Sequence, residues 1–191
     1  IQPGLFLRFG RLDTDEPTVL AFANEQGFLG TGFGTGTVRG GSVHVNCETY
    51  EFWRDEILDM GSAIDIADAL KQGKTGLLKN WIAIERDGRV KHARPYCEPS
   101  LIDASGSGIR ENEWAKAGRL VLQSMANEKL RYVTNLGVVE RKRRLERSVV
   151  VGSLLAAMWI QFLDAIAEDR IKRCARCKKI FVASGRVDKR T

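Results

Sequence analysis

The chain has 191 residues, of which 43% are hydrophobic and 28% charged, a composition ordinary for a soluble globular protein with a core large enough to need no disulfides. Its longest apolar run, residues 149–160, is interrupted by Gly152 and Ser153 and is too short for the about 20 residues that span a bilayer. The net charge is +6, and from Arg170 onward there are nine basic residues against one acid, while the rest of the chain carries 21 basic and 23 acidic residues. A cationic tail on a near-neutral body points to an anionic polymer as partner, nucleic acid before membrane. The four cysteines, Cys47, Cys97, Cys174 and Cys177, are too few for a disulfide framework in a chain of this length and fit a reducing cytosol. No secretion signal is legible near Ile1.

In chain order, residues 5–12 read as a short helix or strand. Asp13-Thr14-Asp15-Glu16-Pro17 is a helix start, with a capping Asp or Thr and a proline whose missing N–H costs nothing there. Gly27 ends that helix. Glycines at 27, 30, 32, 34, 36, 40 and 41 make residues 27–41 a flexible surface loop by expectation. They resemble a phosphate cradle only superficially, because no hydrophobic strand leads in and no helix follows. Glu48 or Thr49 opens a long helix to about Gln72, with Phe52, Trp53, Ile57, Leu58, Ile64, Ala67 and Leu70 at helical spacing. Glu56, Asp55 and Asp65 are expected on its polar side, and Gly61-Ser62 as a kink.

Residues 77–81 suggest a short helical turn. Residues 82–90 form a hairpin around Asp87-Gly88, and residues 101–110 a Ser/Gly loop. A second long helix is predicted over 111–133, with Trp114, Leu120, Val121, Met125 and Leu130 inward. Arg141-Lys142-Arg143-Arg144 and Arg147, beside Glu140 and Glu146, read either as a solvated face or as an extension of the basic patch. Residues 149–168 are predicted as a third long helix, apolar nearly all round and therefore central.

The end of the chain carries the most specific signal. Arg173-Cys174-Ala175-Arg176-Cys177-Lys178-Lys179-Ile180-Phe181-Val182 places two cysteines two residues apart between basic residues and before an apolar strand. That is half of a zinc knuckle: the C-x-x-C turn aims two thiolates at one tetrahedral metal, and the aromatic that follows is expected to shield it. A second Cys/His pair is expected about 12 to 20 residues on, beyond Thr191. A redox dithiol is the weaker reading, because such motifs open a helix among apolar neighbours. His44 and His92, near Cys47 and Cys97, read as structural, with no acid at a set spacing. Trp53, Trp114 and Trp159 read as core, with an apolar ligand pocket between helices as the alternative.

Three stretches together carry a resemblance: Phe22-Ala23-Asn24-Glu25-Gln26-Gly27-Phe28-Leu29-Gly30, Leu154-Leu155-Ala156-Ala157-Met158-Trp159-Ile160-Gln161, and Arg173-Cys174-Ala175-Arg176-Cys177 with Phe181 and Arg186-Val187-Asp188-Lys189-Arg190. They resemble bacterial proteins with an ABATE-like helical N-terminal domain and a C-terminal CGNR-type zinc finger, grouped as stress-related transcription regulators. The Cys-Gly-Asn-Arg string itself does not occur within residues 1–191. The resemblance implies a helical body that senses a small molecule or holds a dimer, and a finger that contacts DNA.

The expected architecture is therefore α+β, mainly α: a helical domain over 1–169 with one β-hairpin, and the first half of a zinc ribbon over 170–191. The expected function is transcriptional regulation by a cytoplasmic DNA-binding protein, not an enzyme. Cys174 and Cys177 are the Zn2+ ligands, and Arg173, Arg176, Lys178, Lys179, Arg186, Lys189 and Arg190 the nucleic-acid contacts. The expected partners are DNA, a small-molecule ligand of the body and a second copy in a homodimer, with no membrane. The alternative is a protein–protein interaction module that binds no DNA.

Overall fold

A computed structural model describes residues 2–30, 34–38, 41–45, 48–93, 100–102, 109–110, 112–131, 134–141 and 144–183. The chain is α+β with a mainly helical core. α1 (Leu5–Phe9) buries Leu5, Phe6 and Phe9. α2 (Glu16–Gln26) starts where the acidic stretch predicts: the Asp15 side chain accepts from the Thr18 N–H at 2.9 Å, with Pro17 in the first turn. It stops at Gly27, whose φ of 84° excludes most side chains. α3 (Tyr50–Lys71) is capped by Thr49, which accepts from the Phe52 N–H at 3.2 Å. A 3-10 helix over Thr75–Asn80 follows. α4 (Trp114–Leu130) and α5 (Leu154–Ala167) complete the helices.

Four antiparallel sheets lie among the described residues. The Gly-rich stretch expected to be a loop instead pairs β1 (Gly34–Val38) with β2 (Gly41–Val45), from Gly34↔Val45 to Val38↔Gly41. Thr35, Thr37, Val38, Val43 and Val45 supply β-branched residues between the glycines, and the glycine count masked that pattern. A hairpin is also not the strand-to-helix turn that a dinucleotide site needs. β3 (Ile82–Ile84) and β4 (Val90–His92) form the predicted hairpin, closed by Gly88 at φ 83°. β5 (Ser100–Ile102), which overlaps the start of the expected Ser/Gly loop, adds a third strand beside β4.

The third helix is shorter than predicted. Residues 149–151 belong to β7 (Arg144–Val151), which pairs with β6 (Thr134–Arg141) over eight residue pairs. Three successive valines favour the strand, and Ser153 then caps α5 by accepting from the Ala156 N–H at 3.1 Å. Of the charged stretch read only as a surface or patch, Glu140, Arg141, Arg144, Glu146 and Arg147 thus lie in paired strands, with Arg141 opposite Arg144.

α5 is the centre, as its all-round apolarity implies: Met158, Trp159 and Phe162 are fully buried. Phe162 meets Phe6 of α1 and Trp159 at ring centroid distances of 5.6 and 5.7 Å. On the other side, Trp53 packs edge-on against Phe9 and Phe22. Trp114 is only half-buried, with the Lys79 ammonium 5.5 Å over its ring. Gly61, expected to kink α3, instead lets α1 cross it: a Cβ there would lie 2.8 Å from the Gly10 carbonyl oxygen. Glu56 is also misplaced by the sequence reading. It is buried, not on a polar face, and meets the Lys129 ammonium at 2.6 Å, while Asp59 meets the same ammonium at 2.9 Å. No helix among the described residues is long and apolar enough to cross a membrane.

Candidate metal knuckle and basic cleft

After α5 the chain reverses at Asp169, which adopts the left-handed φ of 53°. Its carboxylate takes the Lys172 and Lys71 ammonium groups, each at 2.5 Å, and these hold it at about 2, below the usual range. β8 (Ile171–Arg173) and β9 (Ile180–Val182) then pair through Ile171↔Val182, Lys172↔Phe181 and Arg173↔Ile180. Alternation along these strands sends Ile171, Ile180 and Val182 toward the core. Phe181 is left 44% exposed.

The hairpin turn is the C-x-x-C segment. The Cys174 N–H donates to the Lys179 carbonyl and the Lys178 N–H to the Cys174 carbonyl, both at 2.9 Å. Lys178, directly after the second cysteine, sits at φ 60°, a conformation that usually falls to glycine and that a lysine adopts at a cost of about 1 kcal/mol. The backbone N–H groups of Cys177 and Arg176, and then the Cys177 thiol, point at the Cys174 sulfur and hold its thiol below its ordinary value. Both cysteines are free of disulfides, Cys174 half-buried and Cys177 exposed.

Two free thiols two residues apart, one lowered by neighbouring amide N–H groups, have the spacing of half a tetrahedral zinc site. Among the described residues no group of three His, Cys, Asp or Glu side chains converges. His92 does not contribute: it is buried and shares a 3.0 Å hydrogen bond with the Ser62 hydroxyl. His44 lies opposite Thr35 in β2, and Cys47 and Cys97 fall outside the described residues.

The basic residues divide into two groups. Arg173 is anchored: its Nε lies 3.2 Å from Asp68, a second nitrogen pairs with the same carboxylate, and Nη1 donates to the Lys178 carbonyl at 2.9 Å. The bond to Asp68 raises its pKa further. This arginine therefore ties the knuckle to α3, helped by Lys71, whose ammonium donates to the Ile171 carbonyl at 2.5 Å. Arg176, Lys178 and Lys179 are exposed and have no ion pair among the described residues. Arg186, Lys189 and Arg190 lie outside the described residues.

Lys178 and Lys179 do not simply face solvent. With Arg173 and Ile180 they form one wall of a cleft of about 460 Å³, and Arg11 and Asp65 form the other. Arg11 is held there by Asp65 at 2.5 Å. The cleft lining holds four cations and one carboxylate, and Asp68 stands behind Arg173. Two arginines fixed by acids and two unpaired lysines suit an oxyanion such as a phosphodiester. Sequence reasoning found the lysines but missed Arg11, Asp65 and Asp68, of which even Asp68 lies 105 residues before Arg173; only the three-residue spacing of the two acids on α3 hinted that they share a face.

Comparison of the chain with protein families, with curated proteins and with solved structures finds no match.

Proposed function

We propose that this chain is the body and first half-finger of a zinc-dependent, DNA-binding regulator of transcription. The observation that carries the reading is the Cys174–Cys177 turn. It supplies paired thiols, amide donors to Cys174 and a strained left-handed Lys178, and strain of this kind persists where function needs it. Cys174 and Cys177 would hold the zinc, whose part is structural: it links the hairpin to a second ligand pair. Residues 1–169 would serve as the sensing or dimer-forming body.

The DNA contact falls to Arg176, Lys178 and Lys179, with Arg11 and Arg173 positioned in the same cleft, and to Arg186, Lys189 and Arg190 along the basic run. Such contacts bind phosphates and do not read bases. The test is fluorescence anisotropy of a labelled duplex with the polypeptide as its gene encodes it, titrated at several salt concentrations. Replacing Arg176, Lys178 and Lys179 by glutamine is expected to reduce the slope of log K against log salt by about 3, one contact each. An unchanged slope, or binding that survives about 0.5 M salt, would overturn the reading in favour of a protein-interaction module.

A further inference from the structure

An apolar groove lies away from the knuckle. It runs between α2 and the first turn of α3 and encloses about 550 Å³, a volume suited to a small organic molecule. Its floor is rigid. Trp53 and Val19 are buried, and the Trp53 indole is fixed edge-on between Phe9 and Phe22 at centroid distances of 6.1 and 6.2 Å. Its sides are apolar yet uncovered: Leu20 is 58% and Phe28 63% exposed, and both line this groove. Tyr50 completes the lining with its hydroxyl tied to the Thr14 carbonyl. Three aromatic rings thus stand around one space.

The polar lining has one sign. Among the described residues Glu16 and Glu48 are its only charged lining, and no lysine or arginine lines it. Glu48 is placed by the backbone: its two oxygens accept from the Leu29 N–H at 2.8 Å and the Gly30 N–H at 2.6 Å. These bonds fix the carboxylate at the groove without bringing a cation to it. Glu16 has no ion pair among the described residues. Aromatic faces and carboxylates with no competing cation are the chemistry that selects a positively charged organic group, through Coulomb attraction and cation–π contact. An anionic ligand would meet two like charges, and a purely apolar one would leave both acids desolvated.

We propose that this groove is a binding site for an organic cation, an amine or quaternary ammonium carried on an aromatic or branched apolar body. The proposal does not rest on the nucleic-acid reading. The test is calorimetric titration of the full chain, without DNA, with three probes of one shape: 2-phenylethylamine, 2-phenylethanol and 3-phenylpropionate. The amine is expected to bind at least about tenfold tighter than the alcohol, and the carboxylate not to bind. Glu16→Gln and Glu48→Gln should each weaken the amine several-fold and leave the alcohol unchanged. Glu48 also supports the backbone at residues 29 and 30, so Glu16→Gln carries the test if Glu48→Gln does not fold by circular dichroism. Equal affinity for the three probes, no binding of the amine, or an amine affinity indifferent to Glu16→Gln would overturn the proposal.

Discussion

Replacing Lys129 by methionine removes a cation that meets two buried acids. The Lys129 side chain is 9% exposed and that of Asp59 1%, and the ammonium lies 2.6 Å from Glu56 and 2.9 Å from Asp59. Methionine keeps the stem and deletes the charge. Breaking a buried pair in this way costs about 3–5 kcal/mol, because the partner charge is left uncompensated. For a chain of this size that is a fall in Tm of roughly 6–20 °C.

The cost should depend on pH, because the buried Glu56 carboxyl changes charge near neutrality. Burial raises the Glu56 carboxyl to about 7, against the opposing pull of Lys129 and with help from Asp59 and Glu128. A carboxyl raised in the folded state binds its proton more tightly there than in the unfolded chain. Its contribution to stability is therefore full below about 4.5 and is lost as pH rises through about 7, by roughly 3 kcal/mol in all. In Lys129→Met the Glu56 carboxyl loses its ammonium partner and its proton relieves that loss, so the variant should be closest to the parent at pH 5 and furthest from it at pH 8. Urea unfolding at pH 5, 6, 7 and 8 measures this. A penalty under about 1 kcal/mol at pH 8, or one constant across the range, would show that the cluster is not the closed ion site described.

Two further substitutions probe the fold and the turn. Gly61→Ala drives a Cβ to 2.8 Å from the Gly10 carbonyl and should destabilise by about 1–3 kcal/mol, although alanine is the better helix former by about 1 kcal/mol; a variant as stable as the parent in thermal unfolding would remove the α1–α3 crossing as the reason for this glycine. At position 178, where φ is 60°, valine should lower stability and glycine hold or raise it, with a gap of at least about 1 kcal/mol between them; equal melting temperatures would mean that the left-handed turn is not strained.

Much of the helical core was legible because its signals are local. Asp15, Thr49 and the apolar face of α3 act within a turn or two of themselves. The same holds for Asp87-Gly88 and for the C-x-x-C turn. The hairpins at 34–45 and 134–151 were missed for a shared reason: glycine and arginine counts outweighed β-branched alternation, and pairing energy comes from the opposite strand. The boundary at Ser153 shows the same competition, since three valines and a helix of similar apolarity cannot be separated by hydropathy alone. Glu56 and Lys129 stand 73 residues apart, and Arg173 and Asp68 105 apart. No periodicity in either segment announces a partner at that distance. The sequence therefore showed which residues carry charge at the knuckle, and only the fold separated Arg173, held by Asp68, from Lys178 and Lys179.

The most direct measurement is the metal content of the encoded polypeptide beside its affinity for a DNA duplex, in the parent and in Cys177→Ser. The account predicts one zinc per chain in the parent. It predicts loss of that zinc in the variant, together with a drop in DNA affinity that added zinc does not restore. A parent purified without zinc and unable to take it up, or a variant that binds duplex as well as the parent, would contradict it.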